Sequence, residues 1–506
     1  MHSIWAGIFS ALSLTGIGVV FLGTTWGIIA GALPGVTASM GMALILPFVL
    51  GMEPAHAFMI LAGAYVGAEY GGSIPAILIG TPGQPANAPT SMDGHQMHLN
   101  GHSGKALGYS LTAGAFGSFL GGIIAISLLV VLSKIALLFG PADFFALAIF
   151  GLSAVVSMSK GSFIKGFMSV ILGLMLGTVG SDTLTGMTRY AFGSHNLAEG
   201  LGEVPVIIGL VAASEIIDQV VKQVQSKKAK SEMLGKLDYT FITLKEAFAS
   251  WKAAVFSTVL GIVVGVMPGA GPTIASFIAY SESRRFSKDA DKYGTGVPDA
   301  IVGPEAANNA CVPATFVPLL TFGIPGSTSA AILLGAMIMH GMRPGPMLAT
   351  TNPEILSSLY AGIIVSAIAL YIVGRVFLKP WVKITSVPPP YLFSSVLCLM
   401  TVGALALNSG MYPVWLLIIF GVVGYLLKFT GFNPICTVLG FVLESMIETN
   451  MRRALLLSKG SYLAFVTSPI SLVLLLLTAV SIYLGMRRNK KDDKKAQAVA
   501  ESAPQK

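Results

Sequence analysis

Four Pro-Gly dipeptides stand inside apolar runs and carry most of the chemistry this sequence offers: Pro34-Gly35, Pro82-Gly83, Pro268-Gly269 and Pro325-Gly326. Small or polar residues follow each one. Val36, Thr37 and Ser39 follow the first, Gln84, Asn87, Thr90 and Ser91 the second, Ala270, Gly271, Thr273 and Ser276 the third, and Ser327, Thr328 and Ser329 the fourth. A helix that starts at such a break presents unpaired backbone N–H groups and the positive end of its dipole. That suits an anion, and small residues let the anion reach the backbone. Thr81 joins these candidates for the anion, and the breaks also free carbonyl oxygens, which makes the surroundings of Gly80 and of Gly323 candidates for holding a sodium ion. The competing reading is structural, because Gly and Ala also serve close helix packing in membranes.

Other polar groups lie near the breaks. Asn308 and Asn309 offer donors and acceptors, either to a ligand or to a neighbouring helix. Glu69 and Glu305 are ionisable groups in apolar surroundings, a costly placement that defaults to function. With Asn87 and Ser329 they are candidates for ion coupling; the alternative is that the two carboxyls hold a broken helix together. Glu444 and Glu448 are further acidic residues near apolar sequence, Asp143 in Gly-Pro-Ala-Asp suits a helix cap, and Arg343 either attracts an anion or anchors an interface. Gly101-His102-Ser103-Gly104 matches the G-x-S-G pattern of a serine nucleophile but reads as polar loop, and no His-Glu-x-x-His occurs. No enzymatic activity is expected.

The chain has 506 residues, of which 54% are hydrophobic and 11% charged. Soluble domains carry about 25% charged residues, so this is an integral membrane protein. Its long runs do not alternate, which points to helices rather than a barrel. Helices are expected near 10–33, 36–50, 55–71, 106–139, 142–158, 162–179 and 203–221, then 250–267, 271–283, 299–317, 328–341, 354–378, 391–408, 412–428, 433–450 and 461–486. Irregular backbone is expected over 72–104 and 318–327, with further breaks at Pro313 and Pro318. No cleaved signal peptide is expected. Cys311, Cys398 and Cys436 have no metal or disulfide spacing.

The two halves match. Trp26-GIIAGALPGVT aligns with Leu260-GIVVGVMPGAG, and Ile74-PAILIGTPG with Val317-PLLTFGIPG. Residues 1–104 hold no Lys or Arg, whereas 222–252, the loop around Arg284, Arg285, Lys288 and Lys292, and the tail from 487 are basic. The positive-inside rule places those three segments in the cytoplasm. The first motif is flanked by basic residues only in its second copy, which favours opposite insertion of the halves, an arrangement common in secondary transporters. The expected organisation is a membrane repeat over 1–222, a cytoplasmic linker over 223–249, a second repeat over 250–486 and a disordered cytoplasmic tail over 487–506. The net charge of +8 reports topology and lipid contact rather than nucleic-acid binding.

At Gly31-ALPG, Glu69-YGGSIPAILIGTPG, Thr90-SMDG, Gly104-KALG, Val266-MPGAGPT and the run GPEAANN…VPLLTFGIPGS…LLGAMIMHGMRPGP from Gly303, the chain closely resembles the large membrane subunit of the tripartite tricarboxylate transporter family (TctA-like). The resemblance covers most of residues 20–445. It implies uptake of organic carboxylates across a bacterial inner membrane, driven by a sodium or proton gradient, with a periplasmic solute-binding protein and a small four-helix membrane subunit as partners. Thr37 where the second copy has Gly271, Gly80-Thr81 before Pro82, and His95-Gln96 after Asp93-Gly94 depart from the pattern, so "tricarboxylate" does not carry over. The resulting expectation is an all-helical, elevator-like transporter of two inverted repeats without an organic cofactor. Its rivals are a passive anion pore and a membrane scaffold that transports nothing.

Overall fold

The structure, a computed structural model, describes residues 2–502 except 34, 50, 159–161, 183, 226–237, 270, 343, 346, 385–388 and 408–409. Pro34, Ala270, Arg343 and residues 226–237 of the central linker therefore lie outside the described residues. Helices make up nearly all of it. Among the described residues six are long and apolar enough to cross a membrane: Leu14–Ala32, Ser103–Ala136, Glu203–Lys222, Pro353–Val376, Tyr412–Phe429 and Pro469–Arg487. Phe119, Ile123, Ile368, Ile372, Trp415, Ile418, Val422 and Leu472 on them are exposed, as a lipid-facing surface requires. The one ladder among the described residues pairs Gly180–Ser181 with Thr188–Arg189.

Proline starts many of these helices, because a first-turn residue has no N–H bond to lose. Pro54–Gly71, Pro141–Met158, Pro298–Phe322, Pro353–Val376, Pro434–Leu457 and Pro469–Ser502 all open this way. Asp143 accepts a bond from the Gly140 N–H at 2.8 Å at the start of one of them, the role its context suggests.

The expected breaks at Pro313 and Pro318 do not occur. The helix Pro298–Phe322 runs unbroken through Pro304, Pro313 and Pro318, and ends at Gly323 with φ +75°. It is almost wholly buried, and its neighbours meet it with glycine: Gly117 and Gly121 against Ala306 and Ala310, Gly261 against Ala307, and Gly265 against Cys311. A proline inside protein keeps its helix where neighbouring backbone holds the cylinder in shape. The stretch 72–104 is also more regular than expected, with helices Ser73–Leu78 and Ala88–Leu99 joined through a 3-10 turn at Pro85–Asn87. The last helix continues to Ser502, through residues expected to be disordered.

Corresponding positions meet in the two halves. Leu14–Ala32 lies along Pro54–Gly71 with Gly27 and Gly31 against the Ala64 and Ala68 carbonyls, as Gly261 and Gly265 of Trp251–Val266 lie along Pro298–Phe322. Gly83 abuts Gly31, and Gly326 abuts Gly265. These contacts leave no room for a Cβ. On Gly67 it would overlap the Thr24 carbonyl and stand 2.9 Å from the Ile28 nitrogen, both rigid backbone. Gly67→Ala is expected to cost about 2 kcal/mol by overpacking, read as a lowered thermal midpoint in detergent; an unchanged midpoint would show that the two helices can separate freely.

Candidate functional site

Five helix starts converge on one cavity of about 600 Å³. Thr37, Ala38 and Ser39 come from the first break, Gln84, Pro85 and Ala86 from the second, Pro272 and Thr273 from the third, and Ser327, Thr328 and Ser329 from the fourth. The fifth is Asn433, Pro434 and Ile435 at the head of Pro434–Leu457. Tyr65, Glu69, Leu210, Val211, Glu215, Lys428, Gly431 and Phe432 complete the wall.

Three of the starts are capped by a hydroxyl or an amide. Thr37 Oγ1 accepts from the Met40 N–H at 3.3 Å, Ser327 Oγ from the Ala330 N–H at 3.1 Å, and Asn433 Oδ1 from the Ile435 N–H at 2.9 Å. Gln84 ties two parts of the first half together: its Oε1 accepts from the Ala38 N–H at 3.1 Å while its Nε2 donates to the Ala68 carbonyl. Across the halves, Tyr65 Oη lies 2.9 Å from Ser327 Oγ, and Ser276 Oγ donates to the Ala86 carbonyl at 2.5 Å. Thr37, Ser39, Thr273, Ser327, Thr328, Ser329 and Glu69, expected from sequence as site residues, thus share one cavity. Tyr65, Glu215, Lys428 and Asn433 join them from stretches the sequence did not single out.

Other expected site residues stand behind the wall. Gly35, with φ +85°, packs against Gln219, Gly269 against Val155, and Gly271 lies beside Gly326 and Ser327. Val36, Gly83, Pro325 and Gly326 are buried without lining the cavity. Asn309 serves helix packing: its Nδ2 donates to the Glu305 carbonyl at 3.2 Å, and its Oδ1 lies 3.5 Å from Ser118 Oγ. Gly80 and Thr81 are exposed, with Pro82 partly so, and Gly80 lies beside the His95 ring. Gly323 instead lines a separate cavity of about 710 Å³ with Glu444 and Glu448. Gly80 and Gly323, each expected as a position near which sodium could be held, therefore stand in different surroundings. At that second cavity several charges pair in one network. Arg189 pairs with Glu448 at 3.0 Å and with Asp182, and Arg452 reaches Asp182 at 2.7 Å and Glu448 at 2.5 Å. Arg452, with the backbone of Leu184, holds the Asp182 carboxyl well below the usual carboxylate range.

Behind the first cavity lies a buried polar cluster. Asn87 Nδ2 donates to the Glu69 carbonyl at 3.0 Å and to Glu305 Oε1 at 3.1 Å, Thr90 Oγ1 donates to Glu305 Oε1 at 2.6 Å, and Asn308 Nδ2 reaches the Glu69 carbonyl at 3.4 Å. Four oxygens in this cluster have no hydrogen-bond partner: Glu69 Oε2, Asn87 Oδ1, Glu305 Oε2 and Asn308 Oδ1. Orphaned buried oxygens are costly. Their chemistry fits a proton or a hard cation.

The G-x-S-G serine corrects one expectation. Ser103 is the first residue of the helix Ser103–Ala136, not part of a loop, and its Oγ lies 2.7 Å from His98 Nδ1. It is buried and outside both cavities, so the pair closes the preceding turn.

Comparison with known sequences bears on this geometry. The family profile described as "Tripartite tricarboxylate transporter TctA family" matches residues 17–439. A protein of Agrobacterium vitis, "Uncharacterized 52.8 kDa protein in TAR-I ttuC' 3'region", is 35% identical over 497 residues, covering 96% of this chain and 97% of its own length. A second from the same organism, "Uncharacterized protein in TAR-II ttuC' 3'region", is 35% identical over 235 residues, covering 46% of this chain and 97% of its own. No solved structure matches.

Proposed function

Because the chain belongs to the tripartite tricarboxylate transporter TctA family, we propose that it is the large permease subunit of a secondary transporter that imports organic carboxylates by alternating access. A tripartite system brings further subunits, and in this reading they are a periplasmic solute-binding protein and a small four-helix membrane protein. The observation that carries the proposal is the convergence of helix starts from both halves on one cavity. Their N–H groups, with Thr37, Ser39, Thr273, Ser327, Thr328 and Ser329, supply neutral donors aimed at negative charge.

The charge pattern supports an inner-membrane orientation. The helix Glu203–Lys222 leads into the Lys-rich linker, so the linker is cytoplasmic and the Gly180–Arg189 hairpin is periplasmic. Leu14–Ala32 and Trp251–Val266 then enter from opposite sides, as inverted repeats do. The helix Ser103–Ala136 is interlocked with Pro298–Phe322 through Gly117 and Gly121, so in this reading it travels with the substrate-holding unit. The scaffold in this reading is built around Pro353–Val376 and Pro469–Arg487. Glu69, Asn87, Glu305 and Asn308 would hold the coupling Na⁺ or H⁺, which supplies the countercharge and the driving force.

The test is uptake of labelled succinate and citrate into proteoliposomes holding the complete transporter. Accumulation above the external concentration under an imposed Na⁺ or pH gradient is expected. Uptake undiminished after both gradients collapse would make the protein a passive pore, and absence of uptake for every organic acid tried would overturn the carboxylate reading.

A further inference from the structure

We propose that Lys428 is the residue that selects anions carrying a second carboxylate, and that its ion pair with Glu215 is the contact such an anion displaces. This rests on the carboxylate reading above and adds the number of charges the cavity is built for.

The break side of the cavity offers only hydroxyls, amides and backbone N–H groups, which suffice for one carboxylate. The remaining wall is different. Lys428, in the last turn of Tyr412–Phe429, is the one cation among the described residues lining the cavity. Its Nζ stands 2.5 Å from Glu215 Oε2, and both side chains are only 24% exposed. Empty, this wall is electrically balanced, so a monocarboxylate gains nothing by disturbing it. A dianion or trianion held at the breaks brings a second carboxylate into the same cavity, where it competes with Glu215 for the lysine.

Displacement does not leave Glu215 bare. Its other oxygen accepts from Gln219 Nε2 at 3.2 Å, and the Gln219 amide packs on Gly35 at the first break. The pair is therefore linked through one side chain to the segment that would hold the first carboxylate. Glu215 also stands two residues beyond a π-helical turn, Gly209–Ala213, whose Leu210 and Val211 line the cavity. Such turns recur where a helix must adjust at a functional site.

The test uses the full chain in detergent, with binding of butyrate, succinate and citrate measured by calorimetry. Wild-type protein is expected to bind succinate and citrate at least about tenfold more tightly than butyrate, the scale of a charge contact in a partly buried setting. Lys428→Met is expected to erase that preference, and to weaken butyrate as well because the Glu215 carboxylate is left unpaired at the cavity wall. Glu215→Gln, which removes the competitor, is expected to tighten succinate several-fold, a gain that misfolding cannot produce. A Lys428→Met protein that still prefers succinate, or a Glu215→Gln protein with no gain, overturns this inference alone. A wild type that binds none of the three acids overturns the carboxylate reading and this inference with it.

Discussion

Asp93→Ala is expected to destabilise the folded protein by about 4 kcal/mol, since hydrogen bonds to a charged group are worth roughly 1.5–3 kcal/mol each and several are lost together. Asp93 is fully buried in the helix Ala88–Leu99, yet most of its partners belong to one loop of the other half. Its Oδ1 accepts from the N–H groups of Gly294, Gly296 and Val297 at 2.9 Å each, and its Oδ2 from Gly294 N–H and Tyr280 Oη at 2.9 Å. Successive backbone N–H groups curled around an anion form a nest. Gly294 and Gly296 reach that shape with φ of +94° and +106°. Removing the carboxylate leaves four donors facing one another without their acceptor, of which the Val297 N–H is buried. Asp93→Asn keeps one acceptor and adds a donor among donors, so about half the loss is expected. The readouts are the thermal midpoint in detergent and protease cleavage within 287–297. A loss under about 1 kcal/mol would mean that the loop is held by other contacts.

Asp93 also shows why the stretch 72–104 looks irregular in sequence. Its polar residues (Gln84, Asn87, Thr90, Asp93) suggest solvated loop, but each is buried against polar groups elsewhere in the fold. Sequence shows that a residue is polar; it does not show that its partner lies some two hundred positions away. The prolines of Pro298–Phe322 mislead for a related reason. Whether a proline breaks a helix depends on what surrounds it, and here glycines of neighbouring helices enclose it. The capped starts at Thr37 and Ser327 were legible because local chemistry dictates them: a flexible Gly, then a hydroxyl that can close the first turn. Lys428 was not legible, since one lysine near the end of an apolar helix resembles an interfacial anchor until Glu215 is packed beside it. The helix start at Asn433-Pro434 was legible, because Asn followed by Pro opens a helix, but nothing local places it at the cavity with the four breaks.

Glu69→Gln is expected to abolish gradient-driven accumulation while leaving exchange intact. Glu69 lines the same cavity as the capped helix starts, and its Oε2 has no hydrogen-bond partner. An ionised carboxyl there would oppose any anion. Two unit charges about 6 Å apart at an effective dielectric of about 20 repel by about 3 kcal/mol, a loss of roughly a hundredfold in affinity. The anion therefore binds well only when a proton or cation neutralises Glu69. By reciprocity the anion must strengthen the binding of that proton or cation by the same factor. Asn87, Glu305 and Asn308 contribute the other unpartnered oxygens of the cluster and would share the charge. Glutamine is neutral permanently, so its variant should bind succinate independently of Na⁺ and pH. In proteoliposomes with the complete transporter, Glu69→Gln should bring internal succinate to the external concentration and no higher, under a gradient that drives the wild type well above it. Counterflow should persist, because binding and reorientation do not need the carboxyl. Continued accumulation by Glu69→Gln under the same gradient would remove Glu69 from the coupling path and leave Glu305, which the cavity does not reach, as the remaining carboxyl of the cluster.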